Sequence, residues 1–357
     1  MIAIIGGGPS GLFAAELLAS KNKRVILFEE HQEIGKPVQC TGLVTDTIFE
    51  LVNIPSRVIK NRVNTAKIFS KNYSLILKLR TNIVLERESF DRYMAERALK
   101  KGAKIRLNER VIKIKKLGQH YKIFTTKSNY IAKVVIGADG PLSLTAKDLG
   151  LYANKQFLKS KQVTAHFSND NSISFFLYPN SFGWIVPVNR EMARIGVATI
   201  RNVNNMFDTL MQKVGLRENR IVKQSGGLIP MFNIFGRRSK HNAYLIGDAA
   251  GFVKATTGGG IIPGLISSKL CVEAIAKKKN YNLLWQKELG VELTLHKLVH
   301  RIMENMTDND LDKLLKILTK KNAKTILSNN SRDKLSKWFV GLVLKNPQLF
   351  CYLTKLL

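Results

Sequence analysis

The pattern of apolar and polar positions predicts alternating strands and helices at the start of the chain. Residues 2–5 form an apolar run, followed by the glycine-rich turn "GGGPSG", by "LFAAELLAS" with apolar residues at helical spacing, and by the apolar run "RVILFEE". This order predicts a strand, a turn, a helix and a second strand. "FDRYMAERALKKGAKI" predicts another helix, which ends near Gly102 and leads into a strand.

Other segments alternate with a period of two and predict strands that pair without intervening helices. "NTAKIFSKNYSLILKLR" and "RVIKIKKLGQHYKIFTT" each read as a hairpin, and residues 162–200 contain several alternating runs that indicate an antiparallel sheet. "YIAKVVIGADG" and "AYLIGDAAG" return to the first pattern, because each is an apolar strand that ends in a turn with glycine and aspartate. From Gly264 onward the pattern is almost entirely helical.

Composition and charge restrict the class of protein. The chain has 357 residues, and 57 Lys and Arg against 26 Asp and Glu give it a formal net charge of +31. Such a charge favours anionic partners, but no RNP, helix-turn-helix or zinc-finger pattern supports nucleic-acid binding. A compositional bias spread over solvated surfaces explains the charge equally simply.

The cysteines and the absence of targeting signals predict the compartment. Cys40, Cys271 and Cys351 have unrelated spacings, which fit neither a disulfide framework nor a zinc site. Among the histidines, His296 and His300 are four positions apart on a predicted helix, but no HExxH glutamate accompanies them. We therefore expect no metal. No signal peptide and no membrane-spanning apolar run is recognisable, so we expect a cytoplasmic protein that touches a membrane, if at all, peripherally at its inner face.

The first glycine turn predicts a dinucleotide site. Gly6, Gly8 and Gly11 form G-x-G-x-x-G after a strand and at the start of a helix, where backbone N–H groups and the helix dipole can hold a pyrophosphate. Glu29 ends the second strand, where an acidic residue accepts hydrogen bonds from a ribose diol. The acidic residue disfavours NADP, whereas NAD and FAD both fit.

Two later motifs distinguish between these cofactors. "GADG" at residues 137–140, which contains Asp139, and "GDAAG" at residues 247–251, which contains Asp248, each follow an apolar strand. In order and spacing the three motifs resemble the p-hydroxybenzoate hydroxylase type of flavoprotein. That resemblance implies FAD, with contacts from the second glycine-aspartate turn to the ribityl chain, and Arg87 as a further cofactor contact.

A loop with cysteine carries a narrower resemblance. "GKPVQCTG" contains Pro37, Cys40 and Gly42, and looks like the P-x-x-C-x-G signature of the geranylgeranyl reductase family, which includes archaeal digeranylgeranylglycerophospholipid reductases. "FGWIVPVNREMARIGVA" and "GFVKATTGGGIIPGLIS" are similar to two other stretches of that family, so the resemblance covers roughly residues 2–275. The sequence departs from the family at Gly183, Val186 and Ala198, which puts the substrate in question more than the cofactor.

The resemblance implies a reaction in which reduced flavin saturates isolated isoprenoid C=C bonds, often those of archaeal ether lipids. Such an alkene has no carbonyl to withdraw electrons, so hydride transfer from flavin N5 must be accompanied by a proton. A thiol is mostly protonated at neutral pH, and Cys40 can therefore donate that proton or position a water that does so. The alternative for Cys40 is a small buried apolar residue.

The candidates for an apolar slot that binds a prenyl chain are Phe175, Phe176, Trp184 and Ile185, with Trp184 as the strongest because it lies in a family motif. The alternative for each is an ordinary residue of the sheet core. Gly258, Gly259 and Gly260 permit close approach of backbone to the flavin ring. The predicted catalytic residues are Cys40 and Trp184. The predicted substrate contacts are Cys40, Phe176, Trp184 and Pro187. The predicted cofactor contacts are Gly6, Gly8, Gly11, Glu29, Arg87, Asp139, Gly247, Asp248, Gly258, Gly259, Gly260 and Ile261.

The predicted fold class is α/β (α+β), with a Rossmann-like FAD-binding domain, an interleaved antiparallel-sheet substrate domain and a helical C-terminus. The predicted ranges are 1–70, 85–160 and 240–275 for the FAD-binding domain, 71–84 and 161–239 for the substrate domain, and 276–357 for the helical region. The C-terminal segment "KLSKWFVGLVLKNPQLFCYLTKLL" is apolar and cationic. It fits either helices packed on the substrate domain or an interfacial membrane anchor.

The expected partners are a prenyl lipid, a membrane surface, and an electron donor that is either a ferredoxin-like acidic carrier or NAD(P)H. No second dinucleotide fingerprint appears in the sequence, and a protein of this charge attracts acidic carriers. Two other functions remain open. One is a flavin monooxygenase or halogenase that acts on an aromatic substrate, and the other is a non-enzymatic lipid carrier or membrane scaffold.

Overall fold

The computed structural model describes residues 1–152 and 155–356. Its strands and helices follow the predicted alternation. The strands are β1 (Ile2–Ile5), β2 (Val25–Phe28), β3 (Leu43–Thr45), β4 (Ile59–Phe69), β5 (Ser74–Leu85), β6 (Lys104–Arg106), β7 (Val111–Leu117), β8 (His120–Thr125), β9 (Asn129–Ala132), β10 (Val134–Gly137), β11 (Phe157–His166), β12 (Ile173–Tyr178), β13 (Ser181–Pro187), β14 (Met192–Thr199), β15 (Ile221–Pro230), β16 (Ser239–Lys240) and β17 (Ala243–Leu245). The helices are α1 (Pro9–Ala19), α2 (Ile48–Leu51), α3 (Arg87–Lys100), α4 (Leu144–Asp148), α5 (Val203–Val214), α6 (Ile261–Lys277), α7 (Tyr281–Trp285), α8 (Val291–Glu304), α9 (Asp308–Leu318), α10 (Lys321–Asn329) and α11 (Phe339–Lys345).

The chain divides into two compact units, each built from three separate segments. The first unit comprises Met1–Val38, Arg87–Gln156 and Pro230–Thr294. The second unit comprises Gln39–Glu86, Phe157–Ile229 and Leu295–Leu357.

The first unit contains a six-stranded sheet in the order β16-β17-β10-β1-β2-β6 and a three-stranded sheet, β7-β8-β9. β1 pairs in parallel with both β2 and β10, and β10 pairs in parallel with β17. All four residues of β1 and of β2 are buried, as expected for parallel strands covered by helices on both faces. The helix α1 packs against α3 and α6. The predicted strand, helix, strand unit is confirmed.

The second unit is built on an eight-stranded sheet in the order β15-β11-β14-β13-β12-β4-β5-β3. The predicted hairpin at β4 and β5 is confirmed, and β11, β14, β13 and β12 pair antiparallel as expected. β12 pairs in parallel with β4, a strand from a distant segment of the chain. Helix α5 packs on β14 and β11, and its ends are fixed by the Asn202 side-chain cap and by left-handed Gly215.

The helical C-terminus is confirmed, with α6 beginning at Ile261, three residues before Gly264. α9 begins at a capping box between Thr307 and Asp310, which explains why the chain turns into a helix there. α9 and α10 pack against β5 of the second unit. Within the described residues, no helix has both the length and the apolar character needed to cross a bilayer.

The unit boundaries differ from the predicted domain ranges. Residues 39–70 lie in the second unit because β3 and β4 are hydrogen-bonded into its sheet. The predicted C-terminal region is divided, with α7 in the first unit and α9 to α11 in the second. Residues 153, 154 and 357 of the predicted ranges lie outside the described residues. The functional assignment of each range stays a prediction.

Candidate functional site

The turn after β1 requires glycine because backbone segments approach each other closely there. Gly6 has φ +105°, and a Cβ at that position would lie 2.3 Å from the carbonyl oxygen of Ala138. A Cβ at Gly11 would lie 2.1 Å from the carbonyl oxygen of Gly6. The first glycine motif is therefore packed directly against the second, at residues 137–140.

Gly8 differs from these two glycines, because a Cβ there would meet open space. Gly8 is also the N-cap of α1, and in the described part of the chain no side chain caps that helix. The first N–H groups of α1 lack intrahelical partners and carry the positive end of the helix dipole. This arrangement fits a bound pyrophosphate. Close approach of the pyrophosphate explains the glycine at position 8, which packing within the protein does not explain.

Glu29 lies beside this turn, at the end of β2. Its Oε2 accepts a hydrogen bond from the Gly7 backbone N–H at 2.7 Å, and its Oε1 accepts one from the His31 backbone N–H at 3.0 Å. The His31 ring also contacts Oε1. Each carboxylate oxygen can accept more than one hydrogen bond, so Glu29 retains capacity for ribose hydroxyls.

The third glycine motif meets the first at Ser10. A Cβ at Gly247 would lie 2.6 Å from Ser10 Oγ, and a Cβ at Gly264 of α6 would lie 2.5 Å from the same atom. Ser268 Oγ donates to the Ser10 carbonyl at 2.9 Å, and the Gly247 N–H donates to Ser267 Oγ at 3.1 Å. The structure thus brings the three glycine motifs together within the first unit.

Asp248 lies in this third turn, next to the start of α6. A Cβ at Gly260, the N-cap of α6, would lie 2.8 Å from Asp248 Oδ1, so the glycine-rich loop contacts the turn that carries the carboxylate. Burial raises the pKa of Asp248 to about 6, and the positive charges of Arg87 and Lys155 oppose that shift. Burial also lowers the pKa of Lys155 to about 8.

The remaining glycines of this loop form its turn. Gly258 has φ +65°, and its N–H donates to the Lys254 carbonyl at 2.9 Å. A Cβ at Gly259 would lie 3.0 Å from Lys254 Cε, and Ile261 is the first residue of α6. The loop therefore brings glycine backbone to the N-terminus of α6, and its contact with the cofactor stays a prediction.

Two predicted cofactor contacts are already engaged within the protein. Arg87 donates to both oxygens of Asp91, from Nη2 at 2.8 Å and from Nε at 3.2 Å. Burial raises the pKa of Asp91, and the Arg87 charge offsets part of the shift. Asp139 accepts from Ser143 Oγ at 2.6 Å and from the Thr145 N–H at 2.9 Å, so it fixes the start of α4.

A buried arginine supports the Gly247 turn and was not among the predicted residues. Arg238 is 0% exposed and donates from Nε to the Ala250 carbonyl at 3.1 Å and from Nη2 to the Asn233 carbonyl at 2.6 Å. Its guanidinium carbon lies 4.4 Å from the ring centroids of both Tyr152 and Trp285. Burial lowers its pKa to about 10. The arginine fixes the end of the turn that contains Asp248.

Cys40 and the part of its loop from Gln39 onward lie in the second unit. Cys40 is half-buried, and its Sγ accepts a hydrogen bond from the Gly42 N–H at 3.3 Å. Gly42 has φ +73°, and its carbonyl accepts from the Leu85 N–H at 2.9 Å. The loop is thereby joined to the end of β5, and glycine at position 42 allows the backbone to fold back on the sulfur.

A side-chain network connects this loop to the sheet. Gln162 Oε1, on β11, accepts from Thr41 Oγ1 at 2.7 Å and from Trp184 Nε1 at 3.1 Å. Arg194, on β14, donates from Nη1 to the Thr41 carbonyl at 2.7 Å and to the Leu85 carbonyl at 3.0 Å. Neither Gln162 nor Arg194 was predicted, because the sequence gives no sign of which residue faces a loop more than a hundred positions away.

Trp184 and Phe176 lie on opposite faces of the sheet. Trp184 is paired with Phe175 on β12 and with Gly196 on β14, where a Cβ would lie 2.5 Å from the indole ring. Phe176 is paired with Gly183, stacks on Phe69 at 5.1 Å and belongs to the core beneath α5. Side chains alternate between faces along a strand, so these two predicted substrate contacts do not line one slot.

Phe175 and Phe182 share the face of Trp184, and the Phe182 and Trp184 rings are 5.8 Å apart. Pro187 ends β13, where its carbonyl accepts from Asn61 Nδ2 at 3.0 Å. Within the described residues, no cluster of three or more His, Cys, Asp and Glu side chains is placed to hold a metal ion. The second unit thus presents the Cys40 thiol and an aromatic face of its sheet.

The fold and the three converging glycine turns define an FAD-binding flavoprotein. The chain belongs to the FAD binding domain family, which it matches over residues 1–209, and FAD is its cofactor. The residues present fit that group, since the uncapped start of α1, the open space at Gly8 and the acceptor at Glu29 suit its pyrophosphate and ribose.

Similar proteins of known sequence define the class of flavoprotein more closely. The chain is 27% identical over 398 residues to digeranylgeranylglycerophospholipid reductase 3 of Methanosphaera stadtmanae, which covers 100% of this chain and 98% of that protein. It is 32% identical over 347 residues to an uncharacterised protein of Methanocaldococcus jannaschii, covering 89% and 88%. The protein is thus an FAD-dependent enzyme related to digeranylgeranylglycerophospholipid reductases.

A solved structure shows the same fold. A geranylgeranyl bacteriochlorophyll reductase-like protein from Thermoplasma acidophilum aligns with a TM-score of 0.87 at 22% identity, covering 100% of this chain and 98% of that chain. This likeness confirms the predicted fold class, with an α/β cofactor-binding part, an antiparallel sheet and C-terminal helices.

Proposed function

We propose that the protein is an FAD-dependent oxidoreductase acting on CH–CH groups, which saturates isolated C=C bonds in the geranylgeranyl chains of prenyl lipids. Archaeal-type ether phospholipids are the proposed substrates and lipid biosynthesis is the proposed pathway. Full-length similarity to reductases of such lipids supports the substrate class. One structural observation carries the proposal: the Cys40 loop is hydrogen-bonded through Thr41 and Gln162 to Trp184, on an aromatic face of the sheet.

Reduced FAD, when bound, supplies a hydride to one carbon of the double bond, and the other carbon then requires a proton. Cys40 Sγ–H is the proposed proton donor. Loss of that proton leaves negative charge on sulfur, and the Gly42 N–H already points at Sγ from 3.3 Å. That N–H remains placed to donate to the sulfur after the proton has been transferred.

Trp184, Phe175 and Phe182 are proposed to contact the prenyl chain, because they present adjacent aromatic rings on one face. A prenyl chain has no polar groups to orient it, so shape and apolar contact must hold it. The hydrogen bond from Trp184 Nε1 to Gln162 fixes the indole, and Gly196 leaves room for the ring. Trp184 is thus proposed as a residue that orients the alkene beside Cys40.

The proposal includes the partners and the location. A ferredoxin-like acidic carrier is proposed as electron donor because the net charge of +31 favours encounter with acidic proteins, and NAD(P)H is the alternative donor. The proposed location is cytoplasmic, with peripheral contact at the inner face of the membrane.

An anaerobic assay tests the reaction. Dithionite-reduced holoprotein is mixed with a digeranylgeranyl phospholipid in detergent, and mass spectrometry monitors increases of two hydrogens per step. We expect saturation by the wild type, and a rate loss of about tenfold or more for Cys40→Ala and Cys40→Ser with FAD content unchanged. Cys351→Ser is the matched control, because Cys351 is an exposed thiol whose Sγ–H donates to the Gln348 carbonyl of its own segment at 2.9 Å.

Two outcomes would contradict the proposal. If the yellow holoprotein leaves the lipid unchanged and forms product only with oxygen, a monooxygenase or halogenase reaction replaces it. If both Cys40 variants reduce alkene at the wild-type rate, the thiol is not the proton donor.

A further inference from the structure

The last part of the chain combines strong positive charge with unpartnered apolar residues. Residues 313–357 contain ten Lys and Arg and a single acidic residue, Asp333. Among proteins of mixed surface charge such a one-sided segment is unusual, and it creates a positive field over this end of the second unit. The apolar residues determine what that field can bind.

Helix α11 has one buried face and one exposed apolar face. Leu342 packs inward at 6% exposure, whereas Val340 and Leu344 are 62% and 66% exposed. These two residues are four positions apart, so they are neighbours on the same side of the helix. Phe350, in the following 3₁₀ segment, is 48% exposed. The exposed side of α11 therefore presents large apolar groups that the described part of this chain leaves substantially uncovered.

Lysines flank these residues. Lys337 precedes Val340 by one turn and Lys345 follows Leu344, and both are exposed. A shallow groove next to them is lined by Lys320, Lys321 and Lys345. We define the docking face as Lys337, Val340, Leu344, Lys345 and Phe350.

The positive charge and the exposed apolar residues together indicate what binds to the docking face. A second copy of this chain would bring two like-charged faces together, which costs free energy. An acidic carrier protein would match the lysines but gives no reason for the exposed Val340, Leu344 and Phe350. An anionic bilayer matches both features, since its headgroups attract the lysines and the boundary below them accepts apolar side chains.

We infer that the docking face binds the surface of an anionic lipid bilayer, with Val340, Leu344 and Phe350 inserted below the headgroups and Lys337 and Lys345 at phosphate level. This inference deepens the membrane contact in the proposed function. It does not depend on the reaction, because binding is measured without turnover.

Flotation of the full-length holoprotein tests the inference. Vesicles of neutral phosphatidylcholine are compared with vesicles that contain added phosphatidylglycerol, at low and at high salt. We expect binding to the anionic vesicles only, and weaker binding at high salt because screening reduces the attraction of exposed lysines. Removing one lysine charge should weaken binding roughly fivefold, so Lys337→Gln with Lys345→Gln should weaken it by more than tenfold.

Variants of the apolar residues provide the second arm. Val340→Ser with Leu344→Ser should weaken binding at least tenfold on the same vesicles, since insertion depends on buried apolar area. The matched control is Ile112→Ser with Ile131→Ser, because these side chains are 48% and 52% exposed on strands of the first unit. FAD absorbance and circular dichroism should stay at wild-type values in all variants.

Three results would overturn the inference. The first is that the wild type fails to float with anionic vesicles. The second is that the docking-face variants bind as the wild type does, and the third is that the control pair loses binding to the same extent. The inference is also overturned if the wild type is a dimer and Val340→Ser with Leu344→Ser converts it to a monomer without loss of flotation. In that case the docking face is a self-association surface. Lipid reduction in detergent is measured separately, so failure of docking and failure of the proposed reaction are distinguishable.

Discussion

The two units hold their candidate sites by different physical means. In the first unit, glycine backbone packs closely on its neighbours: Gly6 approaches the Ala138 backbone, and Gly247 and Gly264 both approach the small side chain of Ser10. In the second unit, the Cys40 loop is held by side chains from β11 and β14. A site made of backbone is encoded in short local motifs, because only glycine permits the contact. A site made of side chains is encoded in residues dispersed over the sequence.

The two sites should therefore also differ in the substitutions that they tolerate. A turn such as that at Gly6 fails when a side chain is added, since the obstructing atoms there are backbone and cannot move. A side-chain network loses stability gradually. Removing one partner leaves the other polar groups without a hydrogen bond, but the fold stays intact. Variants in each unit test this contrast, from a large expected effect to a small one.

The largest effect is expected for Gly6→Val. A Cβ there would lie 2.3 Å from the Ala138 carbonyl, and the backbone has φ +105°. We expect at least about 4 kcal/mol loss in the free energy of unfolding and loss of FAD. Urea unfolding and absorbance at the flavin bands measure both.

Gly8→Ala is the control within the same turn, because a Cβ at Gly8 meets open space. Its apoprotein should unfold within about 1 kcal/mol of the wild type, while FAD binds at least tenfold more weakly because the methyl group blocks the approach of the pyrophosphate. Equal FAD affinity in Gly8→Ala and wild type would contradict the assignment of this turn.

A smaller effect is expected for Arg238→Met. The substitution leaves the carbonyls of Ala250 and Asn233 without their donor, which costs about 3 kcal/mol, and removal of a charge that burial disfavours offsets part of it. FAD affinity should fall as well, because the Gly247–Ala250 turn loses its support. Arg237→Met, at an exposed neighbour, should change the free energy of unfolding by less than about 0.5 kcal/mol. Equal stabilities of the two variants would show that the hydrogen bonds of the Arg238 guanidinium contribute nothing.

A still smaller change in stability is expected for Gln162→Leu. Thr41 and Trp184 lose their shared acceptor, at a cost of about 2 kcal/mol. The rate of alkene reduction should fall about tenfold at constant FAD content, because the Cys40 loop and the indole are no longer held together. Gln224→Leu, at an exposed position of β15, is the control and should react at the wild-type rate. If Gln162→Leu loses FAD but keeps the wild-type turnover per bound flavin, the network supports cofactor binding and not the Cys40 loop, contrary to this expectation.

The smallest effect concerns pH. Burial raises the pKa of Asp248 from the ordinary value of 3.8 to about 6, so the folded state holds this proton more tightly than the unfolded state does. The resulting stability is present below pH 3.8 and is lost as the pH rises through about 6.

Asp248→Asn cannot titrate, and the comparison therefore isolates this carboxyl. The free energy of unfolding of the wild-type apoprotein, relative to the variant, should fall by about 1 kcal/mol between pH 4 and pH 7. This is less than the full pKa difference implies, because Asp248 is only half-buried in the apoprotein and solvent screens its charge. Urea titrations across that range measure the difference. A relative stability that rises with pH would contradict the assigned sign.

Much of the first unit could be predicted from the sequence. The glycine motifs, Glu29, and the strand and helix order around β1 follow from local rules of turn geometry and periodicity. Arg238 could not be predicted, because nothing in "FGRRSK" distinguishes it from its exposed neighbour Arg237. Only the packing of Tyr152 and Trp285 around it makes the difference.

Less of the second unit could be predicted. Period-two patterns located its strands but not which residues share a face, so Phe176 was grouped with Trp184 although Phe175 is the residue paired with Trp184. Register decides that grouping, and one position of shift reverses it. Gln162 and Arg194 depend on the same register. The domain boundaries differed because β4 joins a sheet whose other strands come much later in the chain.

The parallel pairing in the first unit has a consequence for synthesis of the protein. β1 lies between β2 and β10, and β10 is next to β17, which is formed by residues 243–245. A nascent chain leaving the ribosome therefore carries the apolar segments Ile2–Ile5 and Val25–Phe28 long before their later neighbours exist. Such non-local pairing slows folding and leaves strand edges open to aggregation. Chaperones that shield the N-terminal strands during translation should raise the yield of holoprotein more than added flavin does.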